Sequence, residues 1–185
     1  MPEIRLHKAA PTSGLWRIAS DGVPPYWAYH WAGGLALARF LLDRPEWARG
    51  RRVLDLGAGS GLVGIAAALA GAISVVAAEI DPHAVAALQL NAALNGVAIA
   101  VAAGDPLKRA PPDVDLVAAG DLFYDVRLAM RVTAYLDLCR ARGITALVGD
   151  PRRAPLPLDR LTLLDERPVR ETDRAARPGA VFLFD

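Results

Sequence analysis

Apolar and polar positions alternate along this chain in two periods. Short apolar runs suited to buried strands fall at Val53–Leu56, Ile73–Ala78, Ala98–Ala102, Val114–Gly120 and Ile144–Val148. Between them lie stretches with helical spacing: Leu62–Ala70, Pro82–Asn95 with Gly96 placed to end it, and Val126–Arg142 with Gly143 after it. In the last of these, Leu128, Val132, Leu136 and Cys139 share one face. Strands alternating with helices predict a parallel, doubly wound α/β sheet with right-handed crossovers.

The two ends depart from this rhythm. Pro24–Trp31 is aromatic and Gly33–Leu42 has helical spacing, so residues 1–42 are expected to form a lid and a leading helix. Trp16, Tyr26, Trp27, Tyr29 and Trp31 crowd there, and core packing is the first reading of most of them. Past Asp150 comes a proline-rich piece, Pro151–Pro157, and then an apolar segment, Leu158–Leu164. Two further strand candidates follow, Arg167–Glu171 and Ala180–Phe184, expected as an antiparallel pair at the sheet edge. The fold expected is therefore a Rossmann-like α/β sheet of seven strands in a single domain over 1–185, with its core in 51–185.

Composition narrows the classes. The chain has 185 residues, 54% of them hydrophobic and 22% charged, enough for one sizeable core. A net charge of +1 offers no bulk field for nucleic acid or anionic lipid, so neither is expected as a partner. The uncharged run Leu56–Ala78 is long enough to span a bilayer. However, glycines crowd its start, Gly71 interrupts it and Asp55 and Glu79 bracket it, so it reads as a buried helix and strand. Charges in Met1–Gly14 argue against a secretory leader, and a cytoplasmic monomer is expected. Cys139 is the only cysteine and reads as a buried, inert thiol in a reducing compartment. His7, His30 and His83 lack metal-ligand spacing, so no metal is expected.

Chemistry concentrates in Asp55-Leu56-Gly57-Ala58-Gly59-Ser60-Gly61, where the first strand gives way to the first buried helix. Ligands of open α/β sheets bind beyond the carboxyl ends of the strands, and glycines at 57, 59 and 61 would let backbone approach one closely. Asp55 is placed to accept from a cationic amino group. Glu79 ends the second strand, about twenty residues on, where a carboxylate accepts ribose hydroxyls. Asp105 follows the third strand and is placed to accept from an adenine amine. Together these describe an adenosine with an amino-acid tail. Gly59-Ser60-Gly61-Leu62-Val63-Gly64 also matches a dinucleotide fingerprint. A carboxylate at Asp55 would oppose a pyrophosphate, though, and the chain is short for a dinucleotide fold plus a substrate domain. After the fourth strand, Asp121 and Tyr124 are candidate groups to orient a neutral amine, with Phe123 read as core and Asp125 as a helix cap.

The order of Asp55–Gly61, Glu79-Ile80-Asp81-Pro82 and Asp121-Leu122-Phe123-Tyr124 resembles the class I, seven-strand methyltransferases. Pro24-Pro25-Tyr26-Trp27-Ala28-Tyr29-His30-Trp31-Ala32-Gly33-Gly34 is similar to the protein-lysine branch grouped as methyltransferase family 16, and within it to methyltransferases of the electron transfer flavoprotein β subunit. The resemblance covers Gly22 to Asp150. It implies S-adenosylmethionine as methyl donor (S-adenosylhomocysteine as product), Trp31 and Asp121 beside that cofactor, and Asp121 with Tyr124 at a lysine channel. It also implies the electron transfer flavoprotein β subunit as protein substrate. Relatives labelled nicotinamide N-methyltransferase-like keep a small-molecule acceptor open, and a non-catalytic cofactor-binding module is a third reading.

Overall fold

A computed structural model describes residues 2–7, 14, 25–171 and 175–185. Trp16, Lys8 and Pro24 lie outside the described residues. Seven strands form one sheet in the order β3-β2-β1-β4-β5-β7-β6. They are β1 (Arg52–Leu56), β2 (Ser74–Glu79), β3 (Ala100–Ala103), β4 (Leu116–Gly120), β5 (Thr145–Asp150), β6 (Leu161–Val169) and β7 (Arg177–Phe184). The first five are parallel, and β7 runs antiparallel to both β5 and β6. The helices are α1 (Ala32–Asp43), α2 (Leu62–Leu69), α3 (Pro82–Leu94) and α4 (Val126–Ala141). Among the described residues, no helix is long and apolar enough to cross a membrane.

Strand alternation divides the core into two layers. Val53, Val75, Leu116, Ala118, Leu147 and Val181 face one side, where α1 and α2 cover them. Leu54, Leu56, Val117, Ala119, Val148 and Phe182 face the other, against α4 through Val132, Leu136 and Cys139. The helix α2 is apolar all round because six of its eight residues, Leu62 to Ala67, are buried between sheet and α1. This confirms the uncharged run as a buried helix and strand. Cys139 is fully buried, and burial pushes its thiol up to about 11.

Two expectations are corrected. The apolar segment 158–164 and the strand candidate Arg167–Glu171 are one nine-residue strand, β6, preceded by a short 3-10 turn at Leu158–Arg160. A register shift between Leu163 and Asp165 breaks the two-residue alternation that would have marked it as continuous. Pro168 is tolerated within it because β6 is the sheet edge. The strand β3 lies two residues later at its start than the apolar run suggested, at Ala100–Ala103.

The order in which strands are added reverses between the parallel neighbours β1 and β4, from which the sheet grows toward opposite edges. A cleft is expected outside the carboxyl ends of strands at such a switch point. The N-terminus of α1 lies over the same strand ends because glycine meets glycine there. A Cβ on Gly33 would sit 2.1 Å from the Gly149 carbonyl oxygen, and one on Gly120 would sit 3.1 Å from the Gly34 Cα. No side chain fits between this helix end and β4–β5.

Candidate functional site

A cleft of about 780 Å³ opens at the strand ends, within the size range of small-molecule sites. Asp55, Glu79, Asp105, Asp121, Tyr124 and Trp31 all line it. The structure thus gathers residues from the ends of β1, β2, β3 and β4 and from the start of α1.

The glycine loop is tied down on both sides. Gly57 and Ala58 donate their N–H groups to the Ala78 carbonyl at 3.0 and 3.2 Å, and the Asn91 amide donates to the Ser60 carbonyl at 2.8 Å. Gly57, Gly59 and Gly61 have φ of 68°, 52° and 83°, the left-handed region that glycine alone enters without strain. Their roles differ. Gly57 and Gly59 line the cleft; Gly61 does not. Gly61 is the N-cap of α2, and a Cβ there would press on the Leu88 side chain at 2.8 Å. Gly61, expected at the cofactor, thus turns the chain into α2 beside the cleft.

Asp55 is 2% exposed and accepts from the Gly64 N–H at 2.7 Å, an approach that a glycine at 64 permits. Burial pushes its carboxyl up to about 7; the Gly64 N–H opposes that rise and the nearby Glu79 charge adds to it. Among the described residues, this buried carboxylate lines the cleft with one backbone donor and no cationic partner. An ammonium group fits that need.

Glu79 accepts from Gly59 N–H at 2.8 Å through one oxygen and from Ile80 and Asp81 N–H at 2.7 and 3.0 Å through the other. These bonds aim it along the glycine loop, and one lone pair remains, on the oxygen bonded to Gly59, for a hydroxyl donor. Asp105 is more fully occupied. It accepts from Leu107 N–H at 3.0 Å and from Arg131 at 2.6 Å, with Lys108 at 3.9 Å. Its first role is to cap the 3-10 turn at Pro106–Lys108 and hold Arg131 of α4 at the cleft.

Asp121 has φ 60° and is 11% exposed at its side chain. One oxygen accepts from Gly33 N–H at 3.1 Å and pairs with Arg153 at 2.8 Å; the other accepts from Gly34 N–H. Its neighbour Ala32 N–H is taken by Glu171 at 3.0 Å. The first turn of α1 carries no acidic residue and Trp31 offers no cap, so these two remote carboxylates cap the helix instead. Burial raises the Asp121 carboxyl, and Arg153 and the two glycine amides oppose the rise.

Tyr124 is 56% exposed at the mouth and stacks on Tyr26 with ring centroids 5.9 Å apart. Burial of the remaining part of its ring raises the Tyr124 hydroxyl. Tyr26 in turn meets Trp31, whose indole Nε1–H donates to the Tyr26 carbonyl at 3.0 Å. Tyr26, Tyr29 and Trp31 therefore form an aromatic rim to the cleft, whereas core packing was the first reading of most of them. Phe123 is fully buried and Asp125 caps α4 through Leu128 N–H, both as expected.

Arg153 is the residue that sequence reasoning missed. It reads as one of a solvated arginine pair with Arg152, yet it is 20% exposed, lines the cleft and joins Asp121 to the fully buried Asp150 at 2.7 Å. An aspartate three residues before it, at the end of an apolar strand, was the available signal. Among the described residues, no group of His, Cys, Asp or Glu is arranged to hold a metal.

The chain is similar to known proteins over most of its length. The family "Ribosomal protein L11 methyltransferase (PrmA)" matches residues 37–122. The electron transfer flavoprotein beta subunit lysine methyltransferase of Danio rerio is 44% identical over 83% of this chain and 61% of its own length. The homolog of that protein in Caenorhabditis elegans is 33% identical over 84% of this chain and 71% of its own length. The chain thus spans about three fifths of the length of the vertebrate relatives it matches. Among solved structures, the ribosomal protein L11 methylase of Lactobacillus delbrueckii subsp. bulgaricus superposes with a TM-score of 0.61 and 25% identity, over 81% of this chain and 77% of that one.

Proposed function

The chain belongs to the family of electron transfer flavoprotein β-subunit lysine methyltransferases, and from that premise we propose that it methylates lysine side chains of the electron transfer flavoprotein β subunit, using S-adenosylmethionine. The observation that carries this reading is the pairing, in one cleft, of the buried Asp55 carboxylate with the Asp121–Tyr124 edge. The first calls for an ammonium partner; the second faces the acceptor side.

The residues present fit that donor. Asp55 would take its ammonium group, Glu79 a ribose hydroxyl, and the Asp105–Arg131 pair would border its adenine, with Trp31 on the rim. When bound, S-adenosylmethionine supplies an electrophilic methyl group on a positively charged sulfur. The protein's own task lies on the acceptor side. A lysine amine is protonated near neutral pH, so it must shed a proton to solvent at the cleft mouth before it has a lone pair to offer. The aromatic rim then strips water from it, and methyl transfer needs the amine held in line. Asp121 retains a lone pair beyond its three donors and accepts one amine N–H there. Tyr124 shares the orientation from the mouth.

The test is to incubate the purified protein with S-adenosylmethionine and the flavoprotein of the same organism, then map added methyl groups by peptide mass spectrometry. Methyl groups on β-subunit lysines are expected. A second reading, methylation of ribosomal protein L11, has the match at 37–122 and a stretch 45% identical to a ribosomal protein L11 methyltransferase in its favour. Label confined to ribosomal protein L11, or to a free heterocycle such as nicotinamide, would overturn the flavoprotein reading.

A further inference from the structure

Two carboxylates at neighbouring strand ends share one guanidinium. Arg153 Nη1 lies 2.8 Å from Asp121 Oδ1, at the end of β4, and 2.7 Å from Asp150 Oδ2, at the end of β5. The Arg153 backbone N–H also donates to Asp150 Oδ1 at 2.7 Å, so the loop after β5 is closed on the same carboxylate. Asp150 is completely buried, and among the described residues its side chain bonds only to Arg153. Asp121, by contrast, lines the cleft. The two acids of this trio thus do different work: Asp150 anchors the arginine from inside, and Asp121 presents the result to the cleft.

We propose that Arg153 is a positioning residue for lysine methylation: it clamps the Asp121 carboxylate against the two strand ends and sets the charge that Asp121 presents to the acceptor amine. This rests on the lysine-methyltransferase reading given above. The groups that face Asp121 are few. From the loop after β5 comes Arg153; from the end of β5, Asp150; from α1, the Gly33 and Gly34 amides. Glu171 holds the next amide of the same helix end and is itself 3.5 Å from Arg177. Among the described residues, Arg153 is the single full positive charge in direct contact with Asp121. Without it, Asp121 and Asp150 would face each other with only helix amides for compensation, and like charges at that separation favour protonating one of the pair. Asp121 is the one with access to the cleft and hence to protons. Protonated, it loses the acceptor lone pair and the charge that draw in the amine.

A purely structural role would lower turnover equally at every pH. A positioning role moves the pH profile, and that difference is the test. The measurement is kcat against pH for wild type, Arg153→Gln and Arg153→Lys, together with the 13C carboxyl titration of Asp121 in the protein without acceptor. In Arg153→Gln the acidic limb of kcat should move toward neutral pH, with an increase of roughly tenfold in the proton affinity of Asp121, about one pH unit. Arg153→Lys keeps the charge but makes fewer contacts, so its limb should move the same way by less than half as much. Arg152→Gln, which removes the surface pair with Glu166 and the guanidinium over the Phe182 ring without touching Asp121, should keep the wild-type profile. If Arg153→Gln does not fold, the smaller shift in Arg153→Lys carries the test. An Asp121 titration midpoint unchanged from wild type in the variants overturns the proposal. The carboxyl titration needs no acceptor, so failure of wild type to methylate the flavoprotein would remove the functional reading while leaving the Arg153 result separately readable.

Discussion

Gly33→Ala isolates the contact that seats α1 on the strand ends. An added Cβ would lie 2.1 Å from the Gly149 carbonyl oxygen, 2.5 Å from the carbonyl carbon and 2.9 Å from the Asp121 Cγ. Two of the three are backbone atoms of β5, which cannot rotate away. Relief to van der Waals distance therefore requires α1 to lift by about 1 Å, and the interior is too closely packed to absorb that. Overpacking of this kind costs about 1–3 kcal/mol. Alanine recovers at most about 1 kcal/mol of helix propensity, and less in a first turn. The net loss is about 2 kcal/mol, which lowers Tm by roughly 4–8 °C in a protein of this size. Lifting α1 also draws the Gly33 and Gly34 amides off Asp121, so turnover should fall with stability. Gly34→Ala is the matched control. Its Cβ would meet Asp121 Oδ2 at 3.4 Å and Val63 Cγ2 at 3.9 Å, ordinary contacts, so its Tm should stay within about 2–4 °C of wild type, on the stabilising side if anything. Thermal unfolding followed by circular dichroism measures both. A Gly33→Ala protein as stable as wild type, or a Gly34→Ala protein losing as much as Gly33→Ala, would refute the close glycine packing.

Asp55 should make the ligand-free protein less stable as pH rises. Its carboxyl goes from 3.8 in the unfolded chain to about 7 in the fold, so the fold holds the proton more tightly. Its contribution is therefore fully present below about pH 4 and is lost as pH climbs through about 7, on the order of a few kcal/mol in all. Asp55→Asn should flatten that part of the stability curve while weakening S-adenosylhomocysteine binding in calorimetry; an unchanged curve would mean that Asp55 is already neutralised by something else. Glu79→Ala should weaken S-adenosylhomocysteine by about 1–3 kcal/mol, part of it through the Gly59 N–H that Glu79 now holds, and unchanged affinity would take Glu79 out of the site. Asp121→Asn should cut kcat far more than cofactor affinity. It should also lower Tm, because its amide must turn a donor toward Gly33, Gly34 or Arg153. Tyr124→Phe should lower kcat more mildly at unchanged Tm, since its hydroxyl is at the open mouth.

By itself the chain's pattern determined the sheet and where its cleft would be. Five parallel strands, their helices and an antiparallel C-terminal pair follow from periods that are local properties of the backbone. The glycine loop, Glu79 and the Asp121–Tyr124 motif were legible because each follows directly on a strand, and strand ends of a doubly wound sheet converge. The limits were also local. The edge strand β6 was divided because a bulge breaks its alternation, and spacing along the glycine loop did not tell that Gly57 and Gly59 line the cleft whereas Gly61 packs toward Leu88.

Only the tertiary structure decided what those residues bind to. Asp121 turns its carboxylate onto the amides of a helix eighty-odd residues away, and Arg153 leaves the apparent surface to join it to Asp150. Asp105 is taken up by Arg131, and the aromatics before α1 become a rim facing Tyr124. Each is a pairing between groups remote in sequence, forced by burial: an uncapped helix end, an unpaired acid and an unmatched guanidinium cannot each be left alone out of water, and the fold decides which of them meet.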